Sequence, residues 1–188
     1  MKKYVMIGLT TVMVGSLMLS GCGKSAEQNS SSSSSGSHPA STEAMHHSDS
    51  GDVPEGLHEK SNPTYPVGSQ AVMSTDHMAG MKGAEATIVG AYETTAYAVS
   101  YVPTTGGDPV KNHKWVIQEE IQDHTNQPYA AGAEVVLDAD HMPGMKGAKA
   151  TIDSAEQTTV YMVDYTPTTG GDPVKNHKWV TEEELSVK

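Results

Sequence analysis

The sequence has no arginine, no phenylalanine and a single cysteine among its 188 residues. Twelve lysines stand against 23 aspartates and glutamates, which gives a formal net charge of −11 at pH 7. A protein that binds nucleic acid needs a basic surface to neutralise phosphates, and arginine supplies the usual bidentate phosphate contact. The composition therefore argues against a nucleic-acid partner.

Hydrophobic residues make up 36% of the chain and aromatic residues 5%. This is little for one large core, so we expect small β domains together with low-complexity segments. The single cysteine excludes a disulfide within the chain and a Cys-x-x-Cys metal site. Because no catalytic triad, Gly-rich phosphate loop or His-Glu-x-x-His motif stands out, we expect a binding protein rather than an enzyme.

Residues 1–21 have the features of a lipoprotein signal peptide. Lys2 and Lys3 precede an apolar stretch, Tyr4–Leu19, that is short and interrupted by polar residues. The stretch is followed by Ser-Gly and then Cys22, which resembles the lipobox of bacterial lipoproteins, where cleavage precedes the cysteine and lipid is attached to its sulfur. We therefore predict a lipid-anchored protein on the extracytoplasmic face of the cell membrane, at a Gram-positive cell surface. The alternative is a plain N-terminal membrane anchor with an incidental cysteine.

Residues 22–64 form a Ser-rich segment in which Ser30–Ser35 is unbroken. The segment has few β-branched or aromatic residues, so it cannot bury enough apolar area to offset its ordering entropy, and we predict a flexible tether. It carries Met45, His46 and His47 side by side. These are either solvated linker residues or an auxiliary segment that collects soft metal ions.

After the tether the sequence repeats itself with a period of 64 residues. Tyr65–Ile121 aligns with Tyr129–Leu185 without a gap, and 36 of the 57 aligned pairs are identical. We therefore predict two domains, residues 65–122 and 129–188, or two halves of one assembly. Each copy is near the size at which a lone core is only marginally stable, so docking of the two copies would help.

Each copy shows the period-2 pattern of short strands between Gly and Pro turns. Alternation places Tyr97, Val99 and Tyr101 on one strand face, and His113 together with Trp115 on one face of another. Several short strands within about 60 residues favour a small SH3-like β-barrel in each copy. The predicted strands are Gln70–Ser74, Ala86–Ala91, Thr94–Val102 and Val110–Ile117, then Glu134–Asp138 and Val160–Tyr165.

The segment His77-Met78-Ala79-Gly80-Met81 returns in the second copy as His141-Met142-Pro143-Gly144-Met145. Because glycine and proline favour a turn here, the Met-x-x-Met spacing can bring two thioethers onto one centre, beside an imidazole. Thioether and imidazole form a soft, neutral ligand set, which favours Cu(I), or its mimic Ag(I), over magnesium, calcium, manganese or zinc. The alternative is that these methionines fill the core, which is the usual role of methionine.

Acidic residues accompany both loops. Asp76 and Asp140 directly precede the two histidines, where they either hold the imidazole as acceptors or begin the turn. Near the end of the second copy, Thr181 followed by Glu184 predicts a capping box for a short helical turn.

His113 and His177 recur in the sequence Asn-His-Lys-Trp. One interpretation is a histidine on the surface of a strand beside a core or half-exposed tryptophan. The other is that the two histidines complete the copper ligands, with Trp115 and Trp179 shielding the ion or contacting it as cation–π partners.

The recurring pattern DHMxGMKGAxATI, TTxYxVxY and PTTGGDPVKNHKWVxxEE resembles the YdhK-type domain of bacterial lipoproteins. Similar tandem-domain lipoproteins include the copper-binding lipoprotein CopL of Gram-positive bacteria. The resemblance covers the chain from about Tyr65 to the C-terminus, and it implies an SH3-like or KOW-like fold and a role in copper resistance at the cell surface. The residues that carry the motif, and that the resemblance implies as ligands, are His77, Met78, Met81, His141, Met142 and Met145.

Two functions of different classes follow from these patterns. The first is a copper-binding lipoprotein that sequesters Cu(I) outside the membrane, or passes it to an exporter or oxidase. The second is an SH3-like adhesion module for cell-wall glycan or a partner protein. Its binding face would consist of exposed aromatic side chains, namely Tyr97, Tyr101, Tyr161, Tyr165, Trp115 and Trp179.

Substitution of the cysteine tests the predicted lipid anchor. Cys22→Ala removes the only sulfur that can carry the lipid, so it should block lipid attachment and processing. Membrane fractionation with intact-mass measurement should then find an unprocessed or released protein. Unchanged mass and unchanged membrane retention would show that Cys22 is not lipidated.

Overall fold

The computed structural model describes residues 50–188. The predicted signal peptide, Cys22 and the Met45-His46-His47 segment lie outside these described residues. In the described part the regular elements are β-strands and two short 3₁₀ turns, so the mainly β prediction is confirmed. Residues 50–188 contain no helix that is long and apolar enough to span a membrane.

The two repeats produce nearly the same series of strands, and the predicted strand Val110–Ile117 is found with the same bounds. Where two strands were predicted in the first copy, there is one strand of 17 residues. The strand continues because Tyr92 and Glu93 stay in the antiparallel ladder with the long strand of the second repeat, opposite Val160 and Thr159. The strands are β1 His58–Glu59, β2 Gln70–Met73, β3 Glu85–Tyr101, β4 Val110–Ile117, β5 Glu134–Val136, β6 Lys149–Tyr165, β7 Val174–Thr181 and β8 Leu185–Ser186, and the 3₁₀ turns are Gln118–Glu120 and Glu182–Glu184.

The two long strands, β3 and β6, pair with each other in antiparallel fashion along almost their whole length. At the middle of the ladder Thr94 pairs with Thr158, and these two residues are equivalent positions of the two repeats. The repeats are therefore related by an approximate twofold axis that passes between the two threonines. Of the two organisations considered from the sequence, two halves of one assembly is the one observed, and both repeats fall within one compact unit.

The predicted pair of small barrels is not found. The described strands form one eight-stranded antiparallel sheet in the order β5-β6-β3-β2-β8, with β1 and β4 also paired to β3 and β7 also paired to β6. This sheet is not closed into a barrel. The physical reason is that the β3–β6 ladder occupies the strand edge that each repeat would need in order to close on itself.

Each hydrophobic cluster at the ends of the sheet draws on both repeats. The first lobe is the part built from the N-terminal half of repeat one and the C-terminal half of repeat two, and the second lobe has the reverse composition. Buried core residues of the first lobe include Ala71, Met73, Met81, Ala86, Ile88, Tyr161, Val163, Tyr165, Val180 and Leu185. Those of the second include Tyr97, Val99, Tyr101, Val116, Ile121, Val135, Leu137, Met145, Ala150 and Ile152.

A third cluster, around the twofold axis, contains both tryptophans. The prediction that His113 and Trp115 share a strand face is wrong, because the β3–β4 ladder shifts register between the Val116 and His113 pairs. His113 lies edge-on to Tyr101 of the second lobe, with ring centres 6.1 Å apart, whereas Trp115 belongs to the central cluster. A bulge of this kind inserts a residue and moves the next side chain to the other face.

Part of the segment that was predicted to be a flexible tether belongs to the folded unit. Residues 58–59, within the predicted tether range 22–64, form β1 and pair with Tyr92 and Glu93 of β3. Leu57 packs against the central cluster, and Lys178 Nζ donates a hydrogen bond to the carbonyl oxygen of Asp52. The part of the predicted tether from residue 50 onward therefore belongs to the folded unit.

An isolated repeat tests this exchange of halves. Residues 65–122 alone supply only half of each lobe, so we expect no folded monomer; folding should require a second copy that supplies the missing half. Thermal unfolding followed by circular dichroism should show a midpoint that rises with the concentration of the isolated repeat. The matched control, residues 50–188, should unfold at a midpoint independent of concentration. A folded monomeric repeat would contradict the exchange of halves between the two lobes.

Candidate functional site

The His-Met loops, His77–Met81 and His141–Met145, follow β2 and β5 and are tight turns, as predicted. In each loop the backbone N–H of the second methionine donates to the carbonyl oxygen of the first, at 3.2 Å and 3.1 Å respectively. The imidazole and the first thioether of each loop belong to consecutive residues of this turn. Each loop thus has the compact form that the glycine spacing indicates.

Each His-Met loop is fixed by the Thr-Thr-Gly-Gly loop of the other repeat. The carbonyl oxygen of Gly80 accepts a hydrogen bond from the N–H of Thr168 at 2.9 Å, and that of Gly144 accepts one from the N–H of Thr104 at 2.9 Å. Both glycines have positive φ, +82° and +79°. A Cβ on Gly80 would lie 2.6 Å from Thr169 Oγ1, so glycine is required for the close approach as well as for the backbone angle.

In the first lobe the loop histidine is bound by a carboxylate from the far end of the chain. His77 Nε2 lies 2.6 Å from Glu184 Oε1, and Thr75 Oγ1 donates to the same oxygen at 3.1 Å. The other oxygen, Oε2, accepts from Trp115 Nε1 at 2.9 Å and from the Thr181 N–H at 3.0 Å. The Thr181 contact belongs to the predicted capping box, but the sequence did not indicate that Glu184 also holds His77.

The second lobe repeats this arrangement with the repeats exchanged. His141 Nε2 lies 2.6 Å from Glu120 Oε1, and Glu120 Oε2 accepts from Trp179 Nε1 at 3.0 Å and from the Ile117 N–H at 3.1 Å. Ala139 stands where the first lobe has the donating threonine. The His141–Glu120 pair is more deeply buried than the pair of the first lobe. The side chains of His141 and Glu120 are 4% and 6% exposed, whereas those of His77 and Glu184 are 9% and 15% exposed.

The carboxylate of Glu184 is ionised by its surroundings. Burial raises its pKa, but the hydrogen bond from His77 and the electrostatic interaction with that ring, together with donation from the Thr181 N–H and Trp115 Nε1, outweigh burial and lower the pKa to about 2. A carboxylate that accepts several hydrogen bonds is stabilised in its charged form. Glu184 therefore acts as a fixed acceptor for the imidazole over the physiological pH range.

The second nitrogen of each loop histidine is buried and has no hydrogen-bond partner among residues 50–188. This holds for Nδ1 of His77 and for Nδ1 of His141. A buried imidazole nitrogen without a partner costs free energy, because it has lost its contact with water. When the proton is on Nε2, the Nε2–H group donates a hydrogen bond to the glutamate and Nδ1 has a lone pair. This is the form of histidine that binds metal ions.

The methionines of the two loops differ in burial. Met81 and Met145 are fully buried and belong to the cores of the first and second lobes, which agrees with the core-filling alternative for these two. Met78 and Met142 are half-buried, and the Tyr165 hydroxyl lies 3.7 Å from the Met78 sulfur. Residues 50–188 hold no group of three or more His, Cys, Asp or Glu that is arranged to bind a metal.

The structure brings His113 and His177 towards the His-Met loops of the opposite repeats. The ring centres of His113 and His141 are 6.3 Å apart. His177 lies edge-on to Tyr165 at 5.8 Å, and Tyr165 in turn contacts Met78. The interpretation of these two histidines as additional ligands therefore remains a prediction, now with a specific partner loop for each.

Asp76 and Asp140 are exposed, and the acceptors of the two loop imidazoles are glutamates instead. Of the two interpretations of the aspartates, the one in which they orient the imidazoles gives way to Glu184 and Glu120 for a simple reason. The exchange of halves brings the end of one repeat over the loop of the other. The sequence shows the Glu-Glu pair that ends each recurring motif, but it does not show that the second glutamate of each pair binds the histidine of the other repeat.

The aromatic face required by the adhesion alternative is not on the surface. Each of the six side chains is at most 5% exposed, because each belongs to a lobe core or to the central cluster. Trp115 and Trp179 donate their indole N–H groups to Glu184 and Glu120, and their role as shields or cation–π partners of an ion stays a prediction. The residues concerned are Tyr97, Tyr101, Tyr161, Tyr165, Trp115 and Trp179.

Comparison with known proteins gives one family match. The family described as "Protein of unknown function (DUF1541)" matches twice, over residues 67–118 and 131–182, which are the two repeats. An uncharacterized protein YdhK from Bacillus subtilis (strain 168) is 60% identical over 171 residues, covering 91% of this chain and 83% of that protein.

Solved structures of the same relative share the fold. The crystal structure of a DUF1541 family protein (ydhK) from Bacillus subtilis has a TM-score of 0.75 and 66% identity, and covers 78% of this chain and 99% of that one. The solution NMR structure of the ydhK C-terminal domain has a TM-score of 0.63 and 67% identity, and covers 65% of this chain and 93% of that one.

Acid titration of stability tests the Glu184 environment. Because folding lowers its pKa from 4.5 to about 2, the ionised group stabilises the fold above pH 4.5, and this contribution is lost as the pH falls towards 2. Glu184→Gln should therefore be less stable than wild type near neutral pH, with a difference that shrinks below pH 4.5. Urea unfolding at several pH values measures this, with the exposed neighbour Glu183→Gln as control. A difference that does not change with pH would contradict the assignment.

Proposed function

We propose that this chain, which belongs to the DUF1541 family, is a copper-binding lipoprotein that sequesters Cu(I) outside the cell membrane and so contributes to copper resistance. The YdhK-type resemblance of the repeats is confirmed. Copper binding is the function that the chemistry of the two loops supports best. The chain then acts as a binding protein and not as an enzyme, and the ion is its cargo.

One observation carries this proposal. In each lobe an imidazole nitrogen is buried without a hydrogen-bond partner among residues 50–188, and the residue that follows this histidine in the turn is a methionine. The nitrogens are Nδ1 of His77 and of His141. The opposite nitrogen of each ring is hydrogen-bonded to a carboxylate, which is the arrangement found around metal-binding histidines. A bound metal ion would satisfy the buried lone pair, so the cost of leaving it unsatisfied is offset in the loaded protein.

The donor types favour Cu(I). A neutral imidazole and a thioether are soft or borderline ligands, and both bind without releasing a proton, so they remain ligands in an oxidising exterior. Calcium and magnesium require oxygen ligands, and zinc favours thiolates, imidazoles and carboxylates. Met78 and Met142 are the half-buried thioethers, so they are the sulfur donors nearest to solvent and to an entering ion.

The proposed ligand sets each use both repeats. The first contains His77 and Met78, with His177 as a further candidate. The second contains His141 and Met142, with His113 as a further candidate. Met81 and Met145 lie in the lobe cores directly behind these loops, where each either completes the set from the interior or only supports the turn.

The proposed location at the outer face of the membrane rests on the N-terminal sequence. A lipid on Cys22 would hold the two lobes close to the outer face of the membrane, and the Ser-rich tether would let them reach ions nearby. Met45, His46 and His47 would form an auxiliary collecting segment on this tether. From the lobes Cu(I) would be retained or passed to an exporter or oxidase.

Anaerobic titration of the lipid-free mature chain with Cu(I), against a competing chelator, tests the proposal. Two ions should bind tightly per chain, and replacing Met45, His46 and His47 by Ala should leave both in place. The double variant Met78→Leu with Met142→Leu should weaken binding at least about tenfold, because leucine keeps the volume but has no sulfur lone pair. The same pair of changes at Met81 and Met145 tests whether the core thioethers also bind.

The chain offers a matched control for these substitutions. Met73 is a buried core methionine of the first lobe, and Leu137 occupies the equivalent position of the second repeat. Met73→Leu should therefore leave both folding and Cu(I) affinity unchanged. A folded protein that lacks all four loop methionines and still binds Cu(I) as tightly as wild type would refute the proposed sites.

A further inference from the structure

We propose that Glu184 and Glu120 are positioning residues for the two metal sites: each, from the repeat opposite to the loop, fixes its histidine in the tautomer that offers Nδ1 to the ion. This inference rests on the proposed function, since it specifies how the same sites are made competent. It assigns a role to two residues outside the ligand sets. It also makes each site dependent on both repeats.

The two carboxylates are themselves held in place at both oxygens. In the first lobe, Oε1 of Glu184 accepts from His77 and Oε2 accepts from the indole of Trp115 and the backbone N–H of Thr181. Glu120 has the same three kinds of partner in the second lobe. A carboxylate fixed at both oxygens cannot rotate away, so the imidazole that it binds has one orientation.

The hydrogen bond determines which ring nitrogen is free. A neutral imidazole carries one proton, and in each lobe the glutamate oxygen 2.6 Å from Nε2 is an acceptor, so the proton lies on Nε2. The lone pair is then on Nδ1. If Nδ1 carried the proton instead, each ring would place a lone pair against a carboxylate and leave a buried N–H without an acceptor. The geometry therefore favours one tautomer in each lobe.

The carboxylate and its histidine are far apart in sequence but adjacent in the folded sheet. Glu184 lies 107 residues after His77, and Glu120 lies 21 residues before His141. Both pairs form because β3 and β6 pair along their length and bring the end of each repeat to the loop of the other. Each proposed site therefore has its histidine in the metal-binding tautomer only when the two repeats are folded against each other.

The metal-free mature chain allows a direct test by ¹⁵N NMR of the histidine rings, at about pH 8.5, where an ordinary imidazole is neutral. In wild type, His77 and His141 should both be Nε2–H tautomers. Glu184→Ala should convert His77 to a mixture of tautomers and leave His141 unchanged as an internal control for folding. Glu120→Ala should have the reverse effect. Glu184→Gln should keep more of the Nε2–H form, because the amide oxygen still accepts the hydrogen bond.

Cu(I) titration of the same variants completes the test. Glu184→Ala should lower the affinity of one site about 10–100-fold and spare the other, as loss of an outer carboxylate does for other metal sites. Glu183→Ala, which changes an exposed neighbour of Glu184, should change neither the tautomer nor the affinity. If wild type binds two Cu(I) but its histidines are Nδ1–H, or if Glu184→Ala alters neither tautomer nor affinity, the positioning role is wrong and copper binding stands. If wild type binds no Cu(I), the proposed function fails, and this inference fails with it.

Discussion

The antiparallel ladder between β3 and β6 is the constraint on which the rest of the structure depends. Fifteen residues of each repeat pair with residues of the other, with Thr94 opposite its own equivalent, Thr158. Because that ladder uses one edge of each long strand, neither repeat can close on itself, and each lobe takes its halves from different repeats. The contacts of the His-Met loops with Thr104, Thr168, Glu120 and Glu184 are therefore contacts between repeats.

The chemistry of the candidate sites follows from this exchange. It brings the Glu-Glu end of one repeat over the His-Met loop of the other, and there a buried carboxylate and a buried imidazole satisfy each other at 2.6 Å in both lobes. Leaving either partner alone in the interior would be costly, so the pair also ties the loop to the sheet. The imidazole then has one nitrogen committed to the protein and one available to an ion, while methionine supplies a soft donor beside it.

Sequence reasoning found the elements that local patterns determine. The repeat, most strand positions, the tight turns and the faces of Tyr97, Val99 and Tyr101 agree with the structure, because alternation and turn chemistry act over a few residues. It missed the partners of these elements, because a tandem repeat has the same pattern whether its strands pair within a copy or between copies. For the same reason it considered Asp76 and Asp140 as acceptors for the histidines, whereas the acceptors come from the other repeat. It also left open whether the tryptophans are buried or exposed, and the indoles are buried donors.

Anomalous diffraction from crystals of the Cu(I)-loaded protein tests the central claim most directly. The account predicts two copper peaks related by the approximate twofold axis, each about 2 Å from Nδ1 of His77 or His141 and within bonding distance of a loop methionine sulfur. Copper bound at Nε2 in place of the glutamate, or found away from both His-Met loops, would contradict it.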